Sequence, residues 1–331
     1  MSFARKRLMV GPPPAVLVPL LAGSGLAALG AALVQFGAAA AAGVASLLLL
    51  GLAAAVLTVG FVLSAPARSV VGAPPTDFPG AVEDVRIPSA SGATLHGWHV
   101  APPRARGAVV LLRGAWSDRL SMLRRARLLA RRDFAVLLFD FQAHGESSGR
   151  RITFGESRAL DARAALDFMR RRHPGERIGV LGVSLGGAAA LPGPDALRAD
   201  ALVLEAAYPD IAAALANRLR VGLGPVAGPA LAPWLGRLFL WLLPPLLGIR
   251  REALRPVERV GAVRAPLLVS GGTEDDRTPL VESWALFARA PEPKRFWAAP
   301  GAGHVDLQAH DPEAYRAVVI EFLEANLRRP E

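Results

Sequence analysis

Apolar and polar positions fall along this chain in three regimes. Residues 8–67 contain no Asp, Glu, Lys, Arg or His. A bilayer crossing takes roughly 20 apolar residues, so this stretch is long enough for two. The expected spans are 15–35 and 39–63, turning at Gln35-Phe36-Gly37. Beyond residue 80, short apolar runs alternate with amphipathic stretches. Strands are expected at 81–87 and 94–100, a hairpin turning at Ser91-Gly92, and then at 109–112, 135–141, 177–183, 201–206, 266–272 and 296–299. Helices are expected at 117–129, 157–172, 280–290 and 312–327, the last with Asp311 as its N-cap. Such alternation makes an α/β domain, a mostly parallel sheet covered by helices on both faces. The third regime is an insertion at about 208–265, between strands six and seven. Within it, residues 230–249 carry Arg237 as their one charge before Arg250, and Pro244-Pro245 argue against a single continuous helix.

This pattern divides the 331 residues into an N-terminal membrane anchor, 1–70, and a single α/β domain, 71–331. Arg5-Lys6-Arg7 precede the first span and Arg68 follows the second, while the turn is uncharged. The positive-inside rule then puts both ends in the cytoplasm. A cleaved signal peptide would suit Arg5 to Arg7, but the apolar run is too long for one. One long span with the domain on the far side is the alternative. The chain has no cysteine, which excludes disulfides, thiol catalysis and Cys-based zinc sites. No metal-ligand spacing is evident, and neither a metal nor a cofactor is expected. The net charge is +10, yet no nucleic-acid recognition motif accompanies it, so no nucleic-acid partner is expected. The clusters Arg124-Arg125-Ala126-Arg127 and Arg131-Arg132 read as a solvated helix face, with contact to anionic lipid as the alternative.

The sharpest chemical signal is Gly182-Val183-Ser184-Leu185-Gly186. It lies between the apolar run 178–181 and the small-residue run 187–191, a layout of strand, sharp turn and helix. A turn this tight needs small neighbours and holds the serine hydroxyl at its tip, where helix amides can stabilise negative charge. A nucleophilic serine needs a base, and the base needs a carboxylate to fix its tautomer. Downstream, one strand is followed by Thr273-Glu274-Asp275-Asp276-Arg277-Thr278-Pro279 and the next by Pro300-Gly301-Ala302-Gly303-His304. The order along the chain is therefore serine, acid, histidine, each at a strand end.

From about residue 84 onward the chain resembles the α/β-hydrolase superfamily, and within it the serine aminopeptidase-like hydrolases and their membrane-anchored bacterial relatives. Residues 140–149, Asp-Phe-Gln-Ala-His-Gly-Glu-Ser-Ser-Gly, look like that family's D-x-x-G-H-G-x-S-x-G turn, with Ala143 where the family has glycine. Gly272-Thr273-Glu274-Asp275 with Pro279 looks like its acid loop, and Gly303-His304-Val305-Asp306 like its histidine loop. The resemblance implies Ser184 as nucleophile, Asp275 as acid and His304 as base. Glu274 and Asp276 remain rivals to Asp275, with Asp276 the better candidate for capping the next helix. His144 rivals His304, though its family equivalent lies beside the site without acting as base. His96 and His99 read as structural, and His173 as a cation at a helix end.

The oxyanion donors are expected to be the backbone amides of Leu185 and of Ala115 or Trp116, in the loop after strand three. Arg113-Gly114 stand where the family has His-Gly. Arg113 could bind an anionic substrate group, with Trp116 beside it, or could pair with Asp140 or Glu146. By resemblance the insertion is a lid. The resulting expectation is a serine hydrolase at a bacterial-type inner (plasma) membrane, with its catalytic domain cytoplasmic. It would cleave an ester or thioester with an apolar acyl group from a small-molecule or lipid-like substrate. A peptidase using Glu205 or Asp210 to bind a free amino terminus is the first alternative, and a non-catalytic lipid- or partner-binding protein the second.

Overall fold

A computed structural model describes residues 17–191, 197–247, 254–304 and 306–328. The predicted basic flank Arg5-Lys6-Arg7, the start of the first predicted span and positions 248–253 of the insertion lie outside these residues.

Eight strands form one sheet: β1 (Ala81–Pro88), β2 (Thr94–Ala101), β3 (Ala108–Leu112), β4 (Ala135–Phe139), β5 (Ile178–Val183), β6 (Ala201–Glu205), β7 (Leu267–Gly272) and β8 (Lys294–Ala299). Their order across the sheet is β8-β7-β6-β5-β3-β4-β2-β1. Only the β1–β2 and β2–β4 pairings are antiparallel, and β3 to β8 run parallel. β3, β4, β6 and β7 are buried along their whole length, as their near-continuous Val/Leu/Ala runs require of a sheet covered on both faces. One core layer sets Val110, Leu137 and Val180 against Ala162, Leu166 and Met169, and the other sets Val109, Val136 and Leu181 against Leu129, Leu323 and Leu327.

The covering helices are α2 (Leu123–Ala130), α3 (Glu156–Arg172), the short α4 (Leu185–Ala189) and α6 (Leu280–Arg289). The C-terminal segment runs through Pro312–Tyr315, a π-turn at Arg316–Ile320 and Glu321–Leu327. Asp311 caps it as expected, accepting from the amides of Glu313 and Ala314. Asp276 does not cap α6, whose N-cap is Pro279 without a side-chain bond. Arg125 departs from the predicted solvated face of α2: it is buried, while Arg124 is exposed.

Two further helices are long and broken once each. α1 (Leu17–Leu63) is interrupted at Gly37, at the predicted turn, with φ 77° and ψ −178°. Among the described residues, one stretch is long and apolar enough to cross a bilayer, Gly37–Val62, with mean hydropathy 2.4 and few of its residues buried. The insertion contains α5 (Ile211–Leu247), interrupted at Gly224 with nearly the same angles, φ 78° and ψ −177°. Its arms fold back on each other. A Cβ on Gly228 would lie 2.4 Å from the Arg220 carbonyl oxygen, and one on Gly236 would lie 2.9 Å from that of Ala212. Those pairs straddle position 224 symmetrically.

The break therefore falls at Gly224-Pro225, not at Pro244-Pro245, through which the helix continues. A residue before proline is pushed out of the helical region, glycine alone readily takes φ near 78°, and Pro225 suits the first position of the new arm. α5 packs on α1 where Phe239 meets Val56, with Leu215, Leu235, Leu238 and Leu242 around them. From the end of α1 the chain runs along the domain: Ile152 N donates to Ser64 O, and Ala67–Arg68 pairs with His144–Gly145.

Candidate active site

Ser184 follows β5 with φ 52° and ψ −117°, angles that a strand-to-helix elbow forces on it. Such a conformation costs an L-residue of order 1–3 kcal/mol and persists only where its surroundings impose it. They do so here. The Ser184 amide donates to Glu205 O on β6 at 2.7 Å, and the Ala188 amide to Ser184 O at 3.0 Å. A Cβ on Gly186 would lie 2.1 Å from the Leu112 carbonyl oxygen, so nothing larger than glycine lets the elbow reach the end of β3. A Cβ on Gly114 would stand 3.7 Å from that of Ser184. Ser184 thus lies between the loop bearing Gly114 and Ala115 and the first turn of α4, which begins at Leu185. Amides at the start of a helix have no intrahelical acceptor.

The predicted acid and base come together at the ends of β7 and β8. Asp275 is buried. Its Oδ1 accepts from the amides of Arg277 at 2.9 Å and Thr278 at 2.8 Å, and its Oδ2 faces His304 Nδ1 at 2.8 Å. A carboxylate accepts, so Nδ1 carries the proton and Nε2 is the basic nitrogen. Glu274 and Asp276 are exposed. The two loops are stitched together: Thr273 N donates to Ala299 O, Glu274 N to Ala302 O, and Gly301 N to Thr273 Oγ1. Ser184, Asp275 and His304 follow the C-terminal ends of β5, β7 and β8, which run parallel, so all three stand at one edge of the sheet.

His144, the rival base, is fully buried with both ring nitrogens engaged. Nδ1 donates to Gln142 O at 2.9 Å and Nε2 accepts from Arg158 Nη2 at 3.0 Å. Burial, with Arg158 and Arg113 nearby, holds its pKa far below the ordinary histidine range. Ala143 beside it has φ 59°, which explains why glycine is usual at that place.

Arg113 is not at the mouth of the site. It is wholly buried beneath the loop, donating from Nη1 to Gly114 O at 2.7 Å and to Ser117 Oγ at 3.2 Å, with Asp140 Oδ1 3.8 Å from Nε. That is the carboxylate-pairing alternative, and it corrects the substrate-binding one. Burial, with Arg158 close by, lowers its pKa to about 9, which leaves it charged at neutral pH. Trp116 is 44% exposed, and its ring lies 6.3 Å from that of Phe154. Glu205 is likewise withdrawn. Arg125 Nη2 binds its Oε2 at 2.6 Å and the Tyr315 hydroxyl donates to its Oε1 at 2.5 Å. Arg125 Nη1 also reaches Asp306 Oδ1 at 2.9 Å, two residues beyond His304. Sequence reasoning missed this network, because Arg125, Glu205, Asp306 and Tyr315 lie far apart in the chain and share no motif.

A cavity of about 670 Å³ opens between the arms of α5, walled by Ala212, Ala216 and Leu240 and by the charged Asp210, Arg237, Arg255 and Glu258. Leu240 also packs on the apolar cluster that holds Leu185 and Tyr208 and touches Ala115. The cavity wall and the start of α4 thus border one apolar cluster.

Comparison with known proteins agrees with this architecture. Residues 103–251 match the family model described as serine aminopeptidase, S33. An uncharacterised protein of Mycobacterium tuberculosis is 31% identical over 246 residues, covering 72% of this chain and 78% of its own. The α/β-hydrolase domain-containing protein WAV2 of Arabidopsis thaliana is 27% identical over 254 residues, covering 73% and 78%. Among solved structures, an esterase of Pyrococcus furiosus superposes with a TM-score of 0.67 at 24% identity, over 80% of this chain and 98% of its own. An acetyl xylan esterase of Paenibacillus gives 0.58 at 20%, over 78% and 88%. With this sheet order and these relatives, the chain belongs to the α/β-hydrolase superfamily.

Proposed function

We propose that this protein is a membrane-anchored serine hydrolase that cleaves a carboxylic ester or thioester with an apolar acyl group. The observation that carries the reading is the Asp275 Oδ2–His304 Nδ1 contact at 2.8 Å, on the sheet edge where Ser184 occupies a strained elbow. In this reading His304 Nε2 takes the Ser184 hydroxyl proton as Oγ attacks the carbonyl carbon. Asp275 holds the imidazole in the required tautomer and stabilises its cation. The amides of Leu185 and Ala115 receive the oxyanion. His304 then gives its proton to the leaving group, and an acyl-enzyme remains on Ser184. Water, deprotonated by His304, cleaves it and restores the serine.

Residues 1–70 are read as the anchor, with Gly37–Val62 as its best-defined span. Residues 71–331 are the hydrolase domain, on the cytoplasmic side. The α5 hairpin is the lid. Ala212, Ala216 and Leu240 offer an acyl chain an apolar part of its wall, and the esterase names carried by the structural neighbours point the same way. The peptidase reading draws on the family model's description. It needs a carboxylate for the substrate's amino group: Glu205 is committed to Arg125 and Tyr315, which leaves Asp210 in the cavity wall as its candidate. Assay of the detergent-solubilised protein on p-nitrophenyl acyl esters, acyl thioesters and aminoacyl amides separates the two. Turnover of the esters or thioesters alone supports the proposal, and turnover of the aminoacyl amides alone replaces it with the peptidase.

A further inference from the structure

The second arm of α5 turns an apolar face outward. Val226, Ala230, Trp234 and Trp241 lie at helical spacing on that face and are exposed, Val226 by 87% and Trp234 by 68%. Its one charge, Arg237, lies with its guanidinium 5.3 Å from the centre of the Trp234 ring. A run of this size left to water is unfavourable, and tryptophans beside a long cationic side chain are the usual furniture of a membrane–water boundary. The position of the arm identifies what covers it. Phe239 is packed on Val56 of α1, and Val56 lies within the apolar stretch that ends at Val62. Six residues of helix amount to about 9 Å, so a contact at Val56 lies inside a bilayer whose hydrocarbon half-thickness is about 15 Å. A helix docked on α1 at that depth cannot stand clear of the lipid that surrounds α1.

We propose that the outer face of the second arm of α5 is seated in the lipid bilayer, so that the hairpin over the site is a second membrane-embedded element beside α1. This rests on the reading of α1 as a membrane span. It gives the cavity between the arms a wall in contact with lipid, and a substrate of the proposed class would reach the site from the membrane.

The chain has no cysteine of its own, so single nitroxide labels can be placed without background. Val226→Cys and Ala230→Cys report on the arm, Leu50→Cys on α1, and Arg171→Cys on the far end of the domain, all exposed positions. The full-length variants are reconstituted in phosphatidylcholine–phosphatidylglycerol vesicles, and each label's collisions with oxygen and with a water-soluble nickel chelate are compared. The expected result is oxygen-favoured collision at 226, 230 and 50, and nickel-favoured collision at 171. Nickel-favoured collision at 226 and 230 with position 50 in lipid would overturn the inference and leave the anchor intact. Nickel-favoured collision at all four would overturn both. Labels at 226 and 230 immobilised and shielded from both reagents would mean that protein, not lipid, covers the face, and would also overturn it.

Discussion

The backbone amide of Ser184 donates to the backbone carbonyl of Glu205 at 2.7 Å, and the side chain of the same glutamate is held by Arg125 and Tyr315. One residue thus fixes the elbow through its main chain and is itself fixed through its carboxylate. Arg125 extends the tie to Asp306, on the loop that carries His304. Removing one partner of a buried ion pair leaves an uncompensated charge and typically costs about 3–5 kcal/mol. Arg125→Met is expected to lose stability of that order, seen as a lower unfolding midpoint in detergent. Glu205→Gln with Arg125→Met should recover part of the loss. Equal stability of Arg125→Met and wild type would contradict the role given to this pair.

Asp275 is expected to matter through His304 and not through the fold. Asn in its place keeps the size and one acceptor, but it presents the wrong partner to Nδ1 and stabilises no cation. Where a carboxylate fixes the tautomer of a catalytic histidine, that change costs about 10⁴-fold in kcat. Asp275→Asn is therefore expected to retain its unfolding midpoint and to lose about 10³–10⁴-fold in ester turnover. Asp276→Asn, on an exposed carboxylate, should change turnover little.

Ala143 occupies the left-handed region at φ 59°, where a side chain is strained and glycine is not. The left-handed conformation costs an L-residue roughly 1–2 kcal/mol, offset in a glycine by greater chain entropy when unfolded. Ala143→Gly is expected to stabilise by up to about 1 kcal/mol, measured as a raised unfolding midpoint, without altering turnover.

Much of this architecture was legible in the sequence, for reasons that differ by element. The parallel strands announced themselves because strands buried on both faces must be apolar throughout, as Val109 to Leu112 and Leu267 to Val269 are. The elbow was legible because Gly182 and Gly186 sit where only a close backbone approach requires them. Pairing of Arg113 with Asp140 was one of the two readings the sequence offered, and the choice between them depends on Asp140 and Phe141, which the loop after β4 brings beneath it. The insertion breaks elsewhere than its most conspicuous prolines suggest: the helix continues through Pro244-Pro245, and the backbone turns at Gly224-Pro225, a dipeptide with both of the properties a tight helical hairpin needs.

Glu282, at the start of α6, is expected to give the domain's stability a pH dependence. Its Oε1 accepts from Asn217 Nδ2 of α5 at 2.5 Å, and Asn217 Oδ1 accepts from Arg220 at 2.8 Å. Burial raises its pKa to about 7, with the carboxylates of Asp210 and Asp275 adding to the rise and Asn217 and Arg220 opposing it. A carboxyl whose pKa is higher folded than unfolded holds more protons in the folded state. Its contribution to stability is present below its ordinary value near 4.5 and is lost as pH rises to about 7. Glu282→Gln, neutral at every pH, is expected to flatten the fall of the unfolding midpoint over that interval and to exceed wild type above pH 7. An unchanged slope in the variant would assign the pH dependence to other groups.

The central claim is that Ser184 is an activated nucleophile, and labelling with a fluorophosphonate tests it most directly. The detergent-solubilised full-length protein is treated beside Ser184→Ala, with unfolding midpoints confirming that both are folded. The account predicts covalent labelling of the wild type and none of the variant. No labelling of folded wild type, or equal labelling of both, would contradict it.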